Sequence, residues 1–253
     1  MGISGLLINT KSIVKRKHIS EFKDQKVGID GYSWLHKGLH HNASEVAMTQ
    51  NLSKVLNYFE RNINTMLSFQ LKILIVFDGD KLPLKNNTES NRKEARAKCF
   101  SNALQLYNQG RTDEANKLFG QAIDITPEMA FTIKNELEKR FQKNIEFIIA
   151  PYEADSQLAY LSRIDYIDLV ITEDSDLMVF GAKRIFYKMD KDFNGDELEI
   201  SKLSKCKECD FSKWSNDRFI QLCVVSGCDY LNSPKGIAFK KAYQIFSTYK
   251  DIE

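Results

Sequence analysis

The sequence lacks any run approaching the roughly 18 consecutive apolar residues that a membrane-spanning helix needs, so an integral helical membrane protein is not expected. Its N-terminus lacks the charged-then-apolar layout of a secretory leader. Met1-Gly2 opens like a myristoylation site, but the position that requires Ser or Thr holds Leu6, and the motif fails. Neither charge sign is in excess, with 36 Lys and Arg against 34 Asp and Glu, so the total charge does not announce a nucleic-acid binder. A disulfide framework is missing too. The five cysteines, Cys99, Cys206, Cys209, Cys223 and Cys228, are odd in number and irregularly spaced, as expected for reduced intracellular thiols. Cys206 and Cys209 form a CxxC, but Cys223 and Cys228 stand five apart and Cys223 falls inside an apolar helical pattern, which disfavours a zinc site. No low-complexity linker divides the chain. A soluble intracellular globular protein of one large or two small domains is the expectation.

Hydrophobic residues make up 43% of the chain and charged ones 28%, enough for a sizeable core. Four short apolar runs read as buried parallel strands: Val27-Gly28-Ile29, Ile73 to Phe77, Ile145 to Ile149 and Leu169 to Ile171. Helical stretches separate them, which implies an α/β sheet with helices on both faces. An insertion from about Asn87 to Phe141 reads as helix throughout. Within it, residues 103–123 resemble half of a tetratricopeptide repeat, but no second copy follows, and an ordinary helical hairpin is the better reading. Between Lys81 and Lys98, six basic residues face two acidic ones, a local patch that suits a phosphate-rich partner. From Trp214 the chain is helical again. Residues 226–246 then break with Ser, Asn, Pro and Gly before a basic amphipathic helix, a helix–turn–helix pattern.

The predicted strands share one peculiarity. The first ends in Asp30 and the second in Asp78. The third runs into Glu153 and Asp155 at the start of a helix, and the fourth into Glu173, Asp174 and Asp176. The carboxyl ends of parallel strands open on one edge, where ligands bind, and neighbouring strands lie about 4.8 Å apart. Any one of these acids could be a helix cap favoured by the helix dipole. Together they repel, by about 4 kcal/mol for two charges 4 Å apart at an effective dielectric near 20. No basic side chain lies in the strand-end motifs themselves. Oxygen-only ligands select hard divalent ions, Mg²⁺ or Mn²⁺. A pair of such ions would activate water and stabilise the leaving oxygen of a phosphodiester, with no Ser or His nucleophile required.

Six stretches, "MGISGLL", "IDGYSWLHKG" (29–38), "VFDGDKLPLK" (76–85), "APYEADSQLAYL" (150–161), "ITEDSDLMVFG" (171–181) and "LCVVSGCDYLNSPKGI" (222–237), occur in the order found in the structure-specific 5′ nucleases. The chain resembles the flap endonuclease and XPG superfamily, and within it the exonuclease 1 branch. The resemblance implies a PIN-like parallel-sheet core with helices on both faces, a helical arch and a C-terminal helix-two-turn-helix. Residues 1–225 would form the nuclease core, with the arch at about 87–141. Residues 226–253 would begin the duplex-binding region. It further implies two Mg²⁺ ions, or Mn²⁺ in their place, held by Asp30, Asp78, Glu153, Asp155, Asp174, Asp176 and Asp229. This set adds Asp229 and leaves out Glu173. Lys85 and Arg92 would reach the scissile phosphate and steady its developing charge, with Arg96 one turn further on the same helix face. Tyr32 matches an aromatic that stacks on the DNA end, and His36 a nearby DNA contact. Ser233 would help hold a K⁺ ion in the helix-two-turn-helix, and Lys241 would contact a phosphate.

The implied substrate is duplex DNA with a 5′ end, nick, gap or 5′ flap, cut by a monomeric nuclear enzyme without membrane partners. Mismatch-repair proteins are implied as partners. One departure stands out. Where the family's turn reads Gly-Ile-Gly, this chain has Gly236-Ile237-Ala238. Ala tolerates positive φ poorly, so a weakened K⁺ site is expected. Three alternatives compete with the exonuclease reading. One is a flap endonuclease-type 5′ nuclease. Another is a haloacid dehalogenase-like phosphatase built on Asp78 and Asp80. The last is a DNA-junction binder without activity.

Overall fold

A computed structural model describes residues 2–40 and 42–249, and gives the side chains of all of these except 84 and 86–92. The chain divides into two compact units, Met1–Gly28 with Asp155–Glu253, and Ile29–Ala154. Among the described residues, no helix is long and apolar enough to cross a membrane.

The second unit, 29–154, carries the end of β2 (Lys26–Asp30), then α1 (Gly31–His40), α2 (Ala43–Thr49), α3 (Ser53–Ser68) and β3 (Lys72–Phe77). These are followed by α4 (Asn86–Asn108), α5 (Thr112–Ala122), α6 (Pro127–Phe141) and β4 (Ile145–Ile149). Its strands lie in the order β2-β3-β4, with β3 and β4 parallel from Ile73↔Ile145 to Phe77↔Ile149. The run Ile73–Phe77 is buried at every position, as a strand covered on both faces requires. The polar insertion is three helices. Its hairpin closes over small side chains: Ala103, Ala115 and Ala43 pack with Phe119, and Phe100 meets the Phe119 ring edge-on at 5.4 Å. The tetratricopeptide-like Ala and Phe spacing is therefore a helix–helix seam. Thr126 caps α6 by accepting from the Met129 N–H, with Pro127 in the first turn.

The first unit holds β1 (Lys15–His18), α7 (Ala154–Arg163, its first residue excepted), β5 (Leu169–Thr172) and α8 (Asp176–Val179). It continues through β6 (Arg184–Tyr187), β7 (Asn194–Glu199), α9 (Asn216–Val225) and α10 (Phe239–Thr248). The strand order here is β1-β7-β6-β5-β2. The expected parallel core is extended by antiparallel strands, since β7 runs antiparallel to both β6 and β1. Sequence patterning missed β1, β6 and β7. The polar β7 fits a sheet because its buried Glu197 is paired by Arg184 at 2.7 Å and Lys17 at 2.9 Å. Helices α9 and α10 are joined through aromatic rings, with Trp214 stacked on Tyr243 at 5.4 Å. Arg218 donates to the carbonyls of Phe246 and Tyr249 at the end of α10.

Candidate metal centre

Three of the expected ligands belong to the second unit. Asp30 closes β2 and is buried. Its Oδ1 accepts from the N–H groups of Tyr32 (2.9 Å) and Ser33 (3.1 Å), and its Oδ2 accepts from Ser33 Oγ at 2.5 Å. It therefore caps α1, so the cap falls on an expected ligand. Gly31 follows because any Cβ there would strike the Phe77 ring. Asp78 follows β3 and accepts from the N–H of Ala154 at 2.7 Å. Beyond it the two strand-end loops stay laced together: Gly79 donates to Tyr152 O at 2.6 Å and Asp80 to Pro151 O at 3.0 Å. Gly79 has to be glycine, since a Cβ would collide with the Ala150 carbonyl.

Asp78 is the acid of this unit whose carboxyl is raised by burial and by its neighbours. Burial raises its carboxyl to about 6; the Ala154 N–H opposes the rise, and Asp30 and Glu153 add to it. Lys85 pulls the other way and forms an ion pair with Glu153. The strand-end motifs held no cation in sequence, yet one arrives from the turn before α4. Asp80, the second acid of the phosphatase-like pattern, is exposed.

The other four expected ligands lie in the first unit. Asp155 sits in the first turn of α7. The loop after β5 is tied by short bonds: Thr172 Oγ1 accepts from the Asp174 N–H, and Asp174 Oδ1 from the Asp176 N–H, both at 3.0 Å. The buried Asp176 accepts through Oδ1 from the Ile3 N–H at 3.0 Å, and Ser175 Oγ accepts from the same N–H at 3.1 Å. The chain start is thus folded onto the acid loop. Gly2, at φ +94°, lies where a side chain would run into Ser175 and Asp174. The quoted "MGISGLL" motif gave no hint of this role. Asp229 lies in the break between α9 and α10. Burial, with Asp176 and Cys228 behind it, pushes the Cys223 thiol up. In the CxxC, Cys206 donates to the Asn9 carbonyl at 3.1 Å, and burial raises Cys209 to about 11. Protonated thiols of this kind are poor zinc ligands.

The expected DNA contacts fall into two groups. In the second unit, Tyr32 is half-buried, edge-on to Phe77 at 6.4 Å. Its hydroxyl is pushed up to about 12 by burial, with Asp78, Asp124 and Glu128 adding to the rise. His36 is lowered by burial and by Arg96, against the pull of Asp124. Arg96 is itself paired with Asp124 at 3.3 Å. The side chain of Arg92 lies outside the described residues. In the first unit, Ser233 and Lys241 are exposed, Lys241 on α10. Ser233 packs so closely under Gly227, at φ +95°, that a Cβ there would lie 3.1 Å from it. The turn objection is removed. Ala238 has φ −89° and ψ 172°, an extended N-cap, and the positive φ is taken by Gly236.

Among the described residues, neither unit by itself gathers three or more His, Cys, Asp or Glu side chains into a group that could hold an ion. The donor chemistry still fits a hard cation. The candidate ligands are all carboxylates, and Asp78 is raised partly by two neighbouring acids, a charge that a divalent ion would relieve.

Acids at the carboxyl ends of parallel strands, on an α/β sheet with a three-helix insertion, are the layout of the PIN-like nucleases. Solved structures agree at the level of fold. The catalytic core of Rad2 in complex with DNA substrate matches with a TM-score of 0.72 at 22% identity, covering 99% of this chain and 70% of that one. The Holliday junction-resolving enzyme GEN1 with product DNA and Mg²⁺ matches at 0.62 and 16% identity, covering 98% and 51%. Family models for the XPG N-terminal domain and the XPG I-region match residues 1–99 and 144–229. Exonuclease 1 of Danio rerio is 38% identical over 245 residues, 97% of this chain and 30% of that protein. The chain belongs to the XPG family, on its exonuclease 1 branch. It spans about a third of the length of the exonuclease 1 relatives of zebrafish and Arabidopsis thaliana.

Proposed function

We propose that this chain is the nuclease region of a metal-dependent 5′→3′ double-strand DNA exonuclease that also cuts 5′ flaps. The observation that carries this reading is Asp78. It is a strand-end carboxylate raised to about 6 by burial, with Asp30 and Glu153 adding to the rise. Retaining such a group costs stability unless a cation uses it. In the family pattern Asp30, Asp78, Glu153, Asp155, Asp174, Asp176 and Asp229 act as one ligand set for two Mg²⁺ ions, with Mn²⁺ as a substitute. When bound, the ions supply the charge that activates water and stabilises the leaving oxygen.

The chain's own residues do the rest. Lys85, held against Glu153 in the free protein, turns its ammonium to the scissile phosphate, with Arg92 beside it. Tyr32 offers an aromatic face to the terminal base, and His36 and Arg96 hold the adjoining strand. Lys241 and a K⁺ ion at Ser233 grip the unbroken duplex without reading sequence. The extended Ala238 supports that K⁺ assignment by removing the strain. Residues 1–225 form the nuclease core in this reading, and 226–253 begin the duplex-binding part. On the family resemblance, the proposed enzyme is a monomer that acts in the nucleus with mismatch-repair proteins.

The test is cleavage of nicked, 5′-recessed and 5′-flap duplexes with and without Mg²⁺. Single-nucleotide products from recessed ends are expected, and oligonucleotide products from flaps alone would favour the flap endonuclease-type reading. Asp78→Ala and Asp174→Ala should each lower cleavage about 10³-fold or more while folding and DNA binding persist. Loss of binding or folding in step with activity would overturn the ligand roles.

A further inference from the structure

Tyr187 is the last residue of β6 and is 2% exposed, yet its hydroxyl meets no hydrogen-bonding group of the protein. A buried donor left unpaired costs about 1–3 kcal/mol, and phenylalanine would fill the same space without that cost. Its position narrows the explanation. In the parallel pairing of β5 and β6, Tyr187 stands beside Thr172, so the two side chains share a face of the sheet. Thr172 is the residue whose Oγ1 fixes the Asp174 N–H. Strand β5 ends at Thr172 and leads directly into the loop of Asp174 and Asp176, so Tyr187 ends its strand beside the start of the acid loop. A phenol is a hydrogen-bond donor, and the acceptors that the neighbouring loop brings are carboxylates.

We propose that Tyr187 is a positioning residue for the acid loop: its O–H donates, directly or through one water, to the carboxylate oxygen of Asp174 or Asp176 that is turned away from a bound divalent ion. A ligating carboxylate uses one oxygen on the metal and is oriented by a donor to the other. The unpaired hydroxyl is then the resting half of a bond that the ion completes. The inference rests on the metal reading proposed above.

The experiment compares Mn²⁺ binding by the unmodified chain and by Tyr187→Phe, with calorimetry in the absence of DNA and with melting in EDTA to verify the fold. The variant should bind Mn²⁺ about 10-fold more weakly or worse, as loss of such supporting groups does in other metal sites. Its melting temperature in EDTA should be equal or higher. Its Mg²⁺ requirement for cleavage should rise by a similar factor, with turnover recovered at saturating Mg²⁺. Equal Mn²⁺ affinities would overturn the inference alone. Failure of the unmodified chain to bind Mn²⁺ would overturn the metal reading, and the inference with it.

Discussion

The two units manage their buried acids differently. In the second, Asp30 and Asp78 are held by backbone N–H groups at the starts of helices, and Lys85 brings a positive charge to Glu153. In the first, Asp174 and Asp176 are laced to backbone N–H groups, one of them from the folded-in N-terminus, and their buried neighbours Tyr187 and Cys223 are neutral. The first set of contacts includes a movable charge, and those of the second are fixed dipoles. A lysine on a flexible stem can leave a carboxylate for a phosphate, whereas a backbone N–H cannot. In the proposed reading, the second unit is where the resting charge balance changes when substrate arrives.

Removing Lys85 tests that contrast most sharply. Lys85→Ala should slow cleavage by about 10²–10³-fold, the usual loss for one electrostatic contact to a transition state. It should also raise Asp78 further, because Lys85 now pulls that group down. A rate near that of the unmodified chain would mean that Lys85 serves only the resting ion pair.

A smaller effect is expected at Asp78 itself. Its carboxyl ordinarily titrates near 3.8 and in the folded chain at about 6. Protonation therefore favours the folded state. That contribution is fully present below about pH 4 and is lost as the pH rises through 6. Above it, the ionised group costs on the order of 3 kcal/mol in the absence of metal. Asp78→Asn keeps the acceptor for the Ala154 N–H and the side-chain volume. Its metal-free stability in urea should rise by about 2–3 kcal/mol at pH 7.5 and hardly change at pH 4. Equal gains at both pH values would show that packing, not charge, is at work.

How much of this could be read beforehand depended on locality. Strands β2 to β5 announced themselves as short, mostly apolar runs with acids at or soon after their ends. Strand β1 (KRKH), at the edge of the sheet, and its antiparallel neighbour β7 (NGDELE) did not, because strands that leave one face open need no continuous apolar run. Asp229 was legible only through resemblance, as it follows no strand. The Lys85–Glu153 pair joins residues far apart in sequence, and no spacing rule reaches that far. Ala238 misled because a turn's φ depends on which residue takes the positive angle, here Gly236. Tyr187 carried one faint signal, a phenol ending the strand Arg184–Tyr187 where a purely hydrophobic residue would do.

The smallest predicted effect concerns Arg96, and it asks whether the second unit holds a second movable charge. Arg96 is largely covered and paired with Asp124, which is exposed. A DNA phosphate would have to displace that carboxylate. Exposed pairs are typically worth 0.2–1 kcal/mol, so Asp124→Asn should tighten binding of a 5′-recessed duplex by about 2–5-fold at low salt and less at high salt. His36 supplies an independent check, because Asp124 raises its pKa against burial and Arg96. With Asp124 neutral, the His36 pKa should fall further. If His36 moves and DNA affinity does not, the carboxylate was removed from the right place but Arg96 does not reach the phosphate. If both move, Arg96 joins Lys85 as a charge held by an acid at rest and released to the substrate. In the first unit, the backbone N–H groups that Asp174 and Asp176 accept from stay in place whatever binds.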